Sequence, residues 1–165
     1  MKRLALVLTL AVAALPGCGD DGGNQAATKP SAGSSSTRLI DGEEDIVIKT
    51  YADLQSIVDV GRVLDGSTLG DSPFCPKGAT TGGHGHTDNG WLDKTFTCPD
   101  GTLTLVFDPR HEKKRSASGP WEVLSGTGAY EGMEGSGRMI IEFGPDPNVP
   151  EGHETFTGKV SHSSA

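Results

Sequence analysis

Two histidines and an aspartate lie within five residues of one another, at His84, His86 and Asp88. On an extended chain the side chains at positions i and i+2 point the same way, so the two imidazoles can chelate one divalent cation beside the carboxylate. The flanking pairs Gly82-Gly83 and Asn89-Gly90 predict a loop instead, and two histidines without a defined third ligand are typical of an adventitious site. We therefore expect no resident metal or cofactor, with these three residues as the weak candidates.

The sequence carries no recognisable catalytic motif. No serine lies in a Gly-x-Ser-x-Gly context, and Ser125 is interpreted as a strand-end hydroxyl. The glycines at 126, 128 and 132 have the spacing GxGxxxG, whereas a dinucleotide loop has GxGxxG. The acidic run at residues 43–45 lacks the alternating oxygen ligands of a calcium loop. We predict no catalytic residue, and a protein that is not an enzyme is favoured.

The first eighteen residues predict export. A basic start, Met1-Lys2-Arg3, precedes an apolar run at residues 4–15, shorter than the roughly 20 residues of a membrane-spanning helix. The segment Leu15-Pro16-Gly17-Cys18 resembles the lipobox of bacterial lipoproteins, with proline where a small residue is commoner. This resemblance implies cleavage of a signal peptide at residues 1–17 and acylation of Cys18, for example with palmitate. It also implies anchoring on the extracytoplasmic side of a membrane of the bacterial envelope. The alternative is an ordinary cleaved signal in which Cys18 has no role.

The lipoprotein resemblance also bears on the other cysteines. The chain has three, and an odd number would leave one free thiol in an oxidising compartment. With Cys18 assigned to the lipid, Cys75 and Cys98 remain, and we expect them to form a disulfide. Neither lies in a CxxC pair, which argues against a structural metal site.

Residues 18–39 predict a disordered linker between the anchor and a folded domain at residues 40–165. Residues 19–37 are Gly, Asp, Asn, Gln, Ala, Ser, Thr, Lys and Pro, with no large aliphatic side chain to bury. The net charge is −8, and removal of residues 1–17 would lower it by two further charges. So acidic a chain, with no dense basic face, is not expected to bind nucleic acid. Its expected partner is the membrane, through the lipid; no protein partner is indicated.

The folded domain has the composition of a β protein. The 24 Gly and 10 Pro of the whole chain exclude a helical bundle. Strands are expected at residues 46–48, 56–64, 91–98, 102–108, 121–125, 138–143 and 154–161, and residues 50–58 are also compatible with a short helix. About five to eight short strands without βαβ alternation predict a closed antiparallel sheet or a sandwich.

Period-2 alternation predicts which side chains of these strands face inward. Glu142 alternates outward, so no inward catalytic carboxylate is evident on its strand. The inward set is Leu92, Phe96 and Cys98, then Leu103, Leu105 and Phe107, then Trp121 and Val123, then Met139, Ile141 and Phe143, and finally Phe156 and Val160.

A glycine-rich motif follows the strand at Trp121. It has the form G-T-G-x-Y-x-G-x-x-G, with Gly126, Gly128, Tyr130, Gly132 and Gly135 as its defined positions. From the residues alone, the glycines allow positive φ and close backbone approach, and the tyrosine ring would plug one end of the sheet.

The motif resembles that of allene oxide cyclases and dirigent proteins. With Pro-Phe-Cys-Pro at residues 73–76 and Phe-Thr-Cys-Pro-Asp-Gly at residues 96–101, the chain is also similar to a set of secreted bacterial proteins. The resemblance covers roughly residues 70–161 and implies a single antiparallel β-barrel of about eight strands with an apolar interior. The polar groups on which the chemistry of the two named families depends have no match here, so their activities are not inferred.

Three functions are compatible with such a barrel, which is just wide enough either to fill with side chains or to hold one ligand. The first is binding of a small apolar ligand inside the barrel. The second is a structural or interaction lipoprotein with a solid core, acting through exposed loops at residues 76–90 and 108–118. The third is an isomerase or cyclase acting on a lipid-like substrate, which requires a buried ionisable group facing inward. The predicted ligand-lining residues are Phe96, Leu105, Phe107, Trp121, Val123, Met139, Ile141 and Phe156.

Overall fold

Eleven β-strands account for the regular structure of the described residues, 42–86 and 90–162, in this computed structural model. The predicted signal peptide, Cys18, the predicted linker and the expected domain start at Ile40 lie outside the described residues. The strands are β1 (Glu44–Asp53), β2 (Asp59–Val63), β3 (Thr68–Leu69), β4 (Ser72–Pro73), β5 (Ala79–His86), β6 (Trp91–Cys98), β7 (Gly101–Phe107), β8 (Arg110–Lys113), β9 (Ser116–Gly128), β10 (Met133–Phe143) and β11 (Glu151–His162).

Eight of these strands close into one antiparallel barrel, which confirms the predicted fold class. The order around the barrel is β1-β2-β5-β6-β7-β9-β10-β11. The last strand returns to the first, through a continuous register from Glu44 opposite Val160 to Asp53 opposite Glu151. The short strands β3, β4 and β8 pair at the margins.

Three segments differ from the sequence prediction. Residues 50–58 do not form a helix: β1 continues to Asp53, because its side chains alternate inward and outward, and a bend at residues 55–58 leads into β2. Most of the predicted loop at 76–90 is strand β5, and much of the loop at 108–118 belongs to β8 and β9. β5 is rich in Gly and Thr and lacks a hydrophobic pattern. It becomes a strand because β2 and β6 pair with its backbone on both sides.

Aromatic rings run in contact through the barrel interior. Tyr130 meets Phe74 with ring centroids 5.6 Å apart, and Phe74 meets Phe96 at 5.8 Å. Phe96 then meets Phe156 at 5.9 Å, and Phe156 meets Phe107 at 5.7 Å. All four contacts are edge-to-face, an arrangement favoured by the ring quadrupoles. We call these five residues the ring chain.

One end of the barrel is closed by apolar side chains, and we call it the plug end. Here Cys75 and Cys98 form the expected disulfide, with Cα atoms 4.9 Å apart. The buried Tyr130 donates a hydrogen bond from its hydroxyl to Asp100 Oδ1 at 3.0 Å. The turn that carries it depends on Gly128 and Gly132, at φ +63° and +72°, where an L side chain is strained.

Candidate functional site

A group of charged side chains lies inside the barrel, nearer the end opposite the plug. Lys94 Nζ lies 2.5 and 2.6 Å from the two carboxylate oxygens of Glu154 and 2.9 Å from Asp59 Oδ2. Thr50 Oγ1 donates a 2.6 Å hydrogen bond to Glu154 Oε2. Lys94, Glu154 and Asp59 are 1 %, 2 % and 8 % exposed. We call these four residues the Lys94 cluster, and this end of the barrel the cluster end.

Strand register brings the cluster together. Asp59 lies opposite Gly82, and Gly82 lies opposite Lys94, so the three form one row across β2, β5 and β6. A Cβ atom on Gly82 would lie 3.1 Å from Lys94 Cε. The missing side chain therefore lets the lysine stem cross β5 and reach Asp59.

Strand pairing also positions the residues on the other side of the cluster. Thr50 on β1 lies directly opposite Glu154 on β11, at the seam where the barrel closes. Their side chains face inward because they continue the alternation set by Ile48 and Phe156. The closure of the barrel thus places the Glu154 carboxylate, with Thr50 donating to it, across the lumen from the lysine.

The surroundings of the cluster are apolar on the side of the ring chain. Phe96 and Phe156 occupy the next inward positions on β6 and β11, and both are fully buried. A buried ion is tolerated only when it is paired and hydrogen-bonded. The three donors of the ammonium face three carboxylate oxygens, which satisfies that requirement.

The Lys94 cluster is not among the residues predicted from the sequence, although the predicted alternation contains its positions. Leu92, Phe96 and Cys98 were placed on the inner face of β6, and Lys94 occupies the one position between them on that face. Glu154 likewise lies two residues before the inward Phe156. A lysine at the centre of an inward-facing set was the available signal.

The eight predicted ligand-lining residues do come together in one core. Seven are buried, and Val123 is partly buried and packs against the others. Phe96, Phe107 and Phe156 contact one another directly as part of the ring chain. The Trp121 indole donates to the Thr157 carbonyl at 3.0 Å, so it too is held within the wall.

The side chains of all three predicted metal candidates, His84, His86 and Asp88, lie outside those that the structure describes. β5 ends at His86, which lies opposite Trp91, while Asp88 lies outside the described residues. Within residues 42–86 and 90–162, no group of three or more His, Cys, Asp or Glu side chains is arranged to hold a metal ion.

A groove on the outer surface lies beside the β8–β9 hairpin. Its volume is about 450 Å³, and it is lined by Lys114, Arg115, Phe143, Gly144, Pro145 and Pro147. Arg115 Nη2 donates to the Phe143 carbonyl at 3.4 Å, which fixes the cation along one wall. Two cations beside one phenylalanine ring and two prolines suit an anionic group carried on an apolar body.

Two groups on the outer face of the barrel have raised pKa values. The hydrogen bond from Tyr51 Oη to Glu151, 2.9 Å long, raises the pKa of the Tyr51 phenol, with smaller effects from burial and neighbouring carboxylates. The negative charge of Asp45, and to a smaller extent that of Glu43, raises the pKa of the Lys159 amine. Both lie on the outer face of the barrel, away from the Lys94 cluster.

Comparisons with protein-family models, with curated proteins and with solved structures found no match to this chain. The described part of the chain contains no helix long and apolar enough to cross a membrane. The function is therefore inferred from the geometry of the barrel and from the N-terminal sequence.

Proposed function

We propose that this chain is a lipoprotein of the bacterial envelope that carries a solid-cored β-barrel as an interaction module. Support for the anchor comes from the basic start, the short apolar run and the lipobox-like Leu15-Pro16-Gly17-Cys18. Two or more acyl chains on Cys18 would hold the protein stably at a membrane, and residues 18–39 would tether the barrel to it.

The ring chain is the observation that supports a solid core. Five aromatic side chains touch in sequence from the plug end to Phe107, so the predicted ligand-lining residues pack on one another. A small ligand would have to displace these contacts. The function is then carried by the outer surface, and the groove at Lys114 and Arg115 beside Phe143 is the candidate contact site.

A cavity-probe experiment tests the solid core. We expect benzene, which occupies dry engineered cavities, to leave the melting temperature of the wild-type protein unchanged. A Leu105→Ala variant, which opens a cavity at a fully buried position, should be stabilised by benzene and serves as the matched control. Stabilisation of the wild type, or a stoichiometric small molecule found by native mass spectrometry, would instead support ligand binding inside the barrel.

Radiolabelled palmitate tests the anchor. The wild-type chain expressed in a bacterium should incorporate the label and sediment with membranes. A Cys18→Ser variant should lose both properties. Label retained in that variant would contradict acylation at Cys18.

A second candidate function is an isomerase or cyclase acting on a lipid-like substrate. The Lys94 cluster favours it, since this hypothesis requires buried ionisable groups facing inward. The hypothesis also needs space for a substrate beside Lys94 Nζ, so it depends on the same benzene experiment. A wild-type barrel that excludes benzene leaves no room for the reaction.

A further inference from the structure

The Lys94 cluster contains the parts of an amide-forming reaction. An amine nucleophile, Lys94 Nζ, lies 2.9 Å from a carboxylate oxygen of Asp59, and a second carboxylate, that of Glu154, contacts the same nitrogen. We propose that Lys94 and Asp59 become joined by an intramolecular isopeptide bond between Nζ and Cγ, with Glu154 as the catalytic proton carrier. This inference is independent of the function proposed for the barrel.

The backbone holds the two reacting groups in place. Asp59 and Lys94 lie in one row with Gly82 between them, so the lysine stem crosses the strand without obstruction. On the other side of Asp59, a Cβ atom at Gly83 would overlap Asp59 Oδ1, so this position also needs glycine. Groups held within contact distance react far faster than the same groups free in solution.

The reaction is a condensation and needs no oxidant or cofactor. A proton passes from the Lys94 ammonium to the Asp59 carboxylate by way of Glu154, which gives a neutral amine and a neutral acid. The nitrogen lone pair attacks Asp59 Cγ and forms the N–C bond. Glu154 then takes a proton from the nitrogen and delivers it to a Cγ hydroxyl, whose C–O bond breaks. One water molecule leaves, and Glu154 ends in its starting charge state.

The environment favours this product over the ion pair. Burial penalises charged groups, and the amide replaces one cation and one anion by a neutral group, so Glu154 remains as the single buried charge of the cluster, hydrogen-bonded by Thr50. Water, which reverses amide formation, is largely excluded because Lys94 and Glu154 are almost completely buried. The Thr50 hydroxyl donates to Glu154 at 2.6 Å and holds this carboxylate beside the nitrogen.

The bond would have a clear structural consequence. It would join β2 to β6 across β5, the strand with the weakest sequence pattern. The segment that it encloses, residues 59–94, overlaps the segment at 75–98 enclosed by the disulfide. The two crosslinks together would lock the part of the barrel wall that has the fewest aliphatic side chains.

A tryptic peptide map of the full chain tests the proposal directly. After reduction and alkylation, we expect residues 50–62 and 78–110 in one crosslinked species, lighter by one water molecule than the two peptides together. Trypsin would not cut after the acylated Lys94. Recovery of a free peptide 50–62 and of a peptide ending at Lys94, with no crosslinked species, would overturn the proposal.

Variants test the role of Glu154. Glu154→Gln keeps the side-chain volume but removes the proton carrier, so the crosslinked fraction should fall from nearly complete to undetectable. Glu151→Gln on the same strand removes a carboxylate that contacts Tyr51 instead, and should crosslink like the wild type. Full crosslinking in Glu154→Gln would overturn the catalytic role.

Thr50→Val provides a second variant in case Glu154→Gln does not fold. It keeps the amine and both carboxylates and removes only the hydrogen bond that orients Glu154. The bond should then form more slowly during refolding than in the wild type, followed by peptide mapping at successive times. An unchanged rate would contradict the positioning role of Thr50, while the wild-type map still decides whether the bond exists.

Discussion

The barrel interior is built differently at its two ends. At the plug end, Phe74, Tyr130 and the Cys75–Cys98 disulfide close the lumen with apolar contacts. Near the cluster end, the same inward-facing positions hold Lys94, Asp59 and Glu154. Inward alternation is common to both ends, yet one end is stabilised by packing and the other by paired charges.

The comparison shows that burial has a different energetic meaning at each end. An apolar side chain removed from the plug end leaves a cavity, whose cost depends on how far the neighbours relax. A charged partner removed from the cluster leaves an uncompensated buried ion, which relaxation does not repair. The ends should therefore respond differently to substitutions of similar size.

Lys94→Met should have the largest effect, because it leaves the Asp59 and Glu154 carboxylates buried with neither the ammonium nor an amide bond to compensate them. We expect a loss of about 3–5 kcal/mol in the free energy of unfolding, measured by urea denaturation. Lys49→Met, at an exposed position of β1, is the matched control and should change stability little. Equal stability of the two variants would show that the cluster is not a coupled charge network.

Phe74→Ala should cause the next largest loss of stability, since it removes a buried ring that contacts both Phe96 and Tyr130. A loss of about 3 kcal/mol is expected by urea denaturation, typical of a phenylalanine truncation in a packed core. Benzene should restore part of the loss by filling the cavity, whereas it should not rescue Lys94→Met. Rescue of both variants by benzene would contradict the view that packing stabilises the plug end and paired charges stabilise the cluster end.

Replacing both Cys75 and Cys98 by alanine tests the covalent part of the plug end. The chain-entropy model assigns about 3 kcal/mol to a loop of this length, and an existing crosslink over residues 59–94 would reduce that cost. We therefore expect a loss nearer 2 kcal/mol, measured against the wild type in urea without reductant. A loss of the full value of about 3 kcal/mol would argue against a second crosslink in the same segment.

Tyr51→Phe should have the smallest effect on stability, and this effect should be seen only at alkaline pH. Its pKa is raised by the hydrogen bond to Glu151, so the folded state holds the phenolic proton more tightly than the unfolded chain. The contribution to stability is present below the ordinary tyrosine pKa and is lost as pH rises through the raised value. Tyr51→Phe should flatten this part of the pH–stability profile, and an unchanged profile would contradict the assignment.

The strands with alternating aliphatic side chains were predicted from the sequence better than the strand without them. Strands rich in Val, Ile, Leu and Phe, such as β7 and β10, were located from alternation, and the inward positions Leu103, Leu105 and Phe107 are all buried. The pairs Gly82-Gly83 and Asn89-Gly90 predict a loop across β5, whose sequence Ala-Thr-Thr-Gly-Gly has no hydrophobic period. Its strand character comes from pairing with two neighbours, which a local pattern does not contain.

The sequence by itself determined the all-β class, the inward faces of the aliphatic strands and the partner of each barrel cysteine. The first two depend on short-range alternation, and the third depends on the odd cysteine count together with the lipobox resemblance that assigns Cys18 to the lipid. Only the tertiary structure decided that Lys94 meets Glu154, sixty residues away, and Asp59 across a glycine. The physical reason is that a buried charge is tolerated only beside its partners, and those partners become neighbours only when the last strand closes on the first.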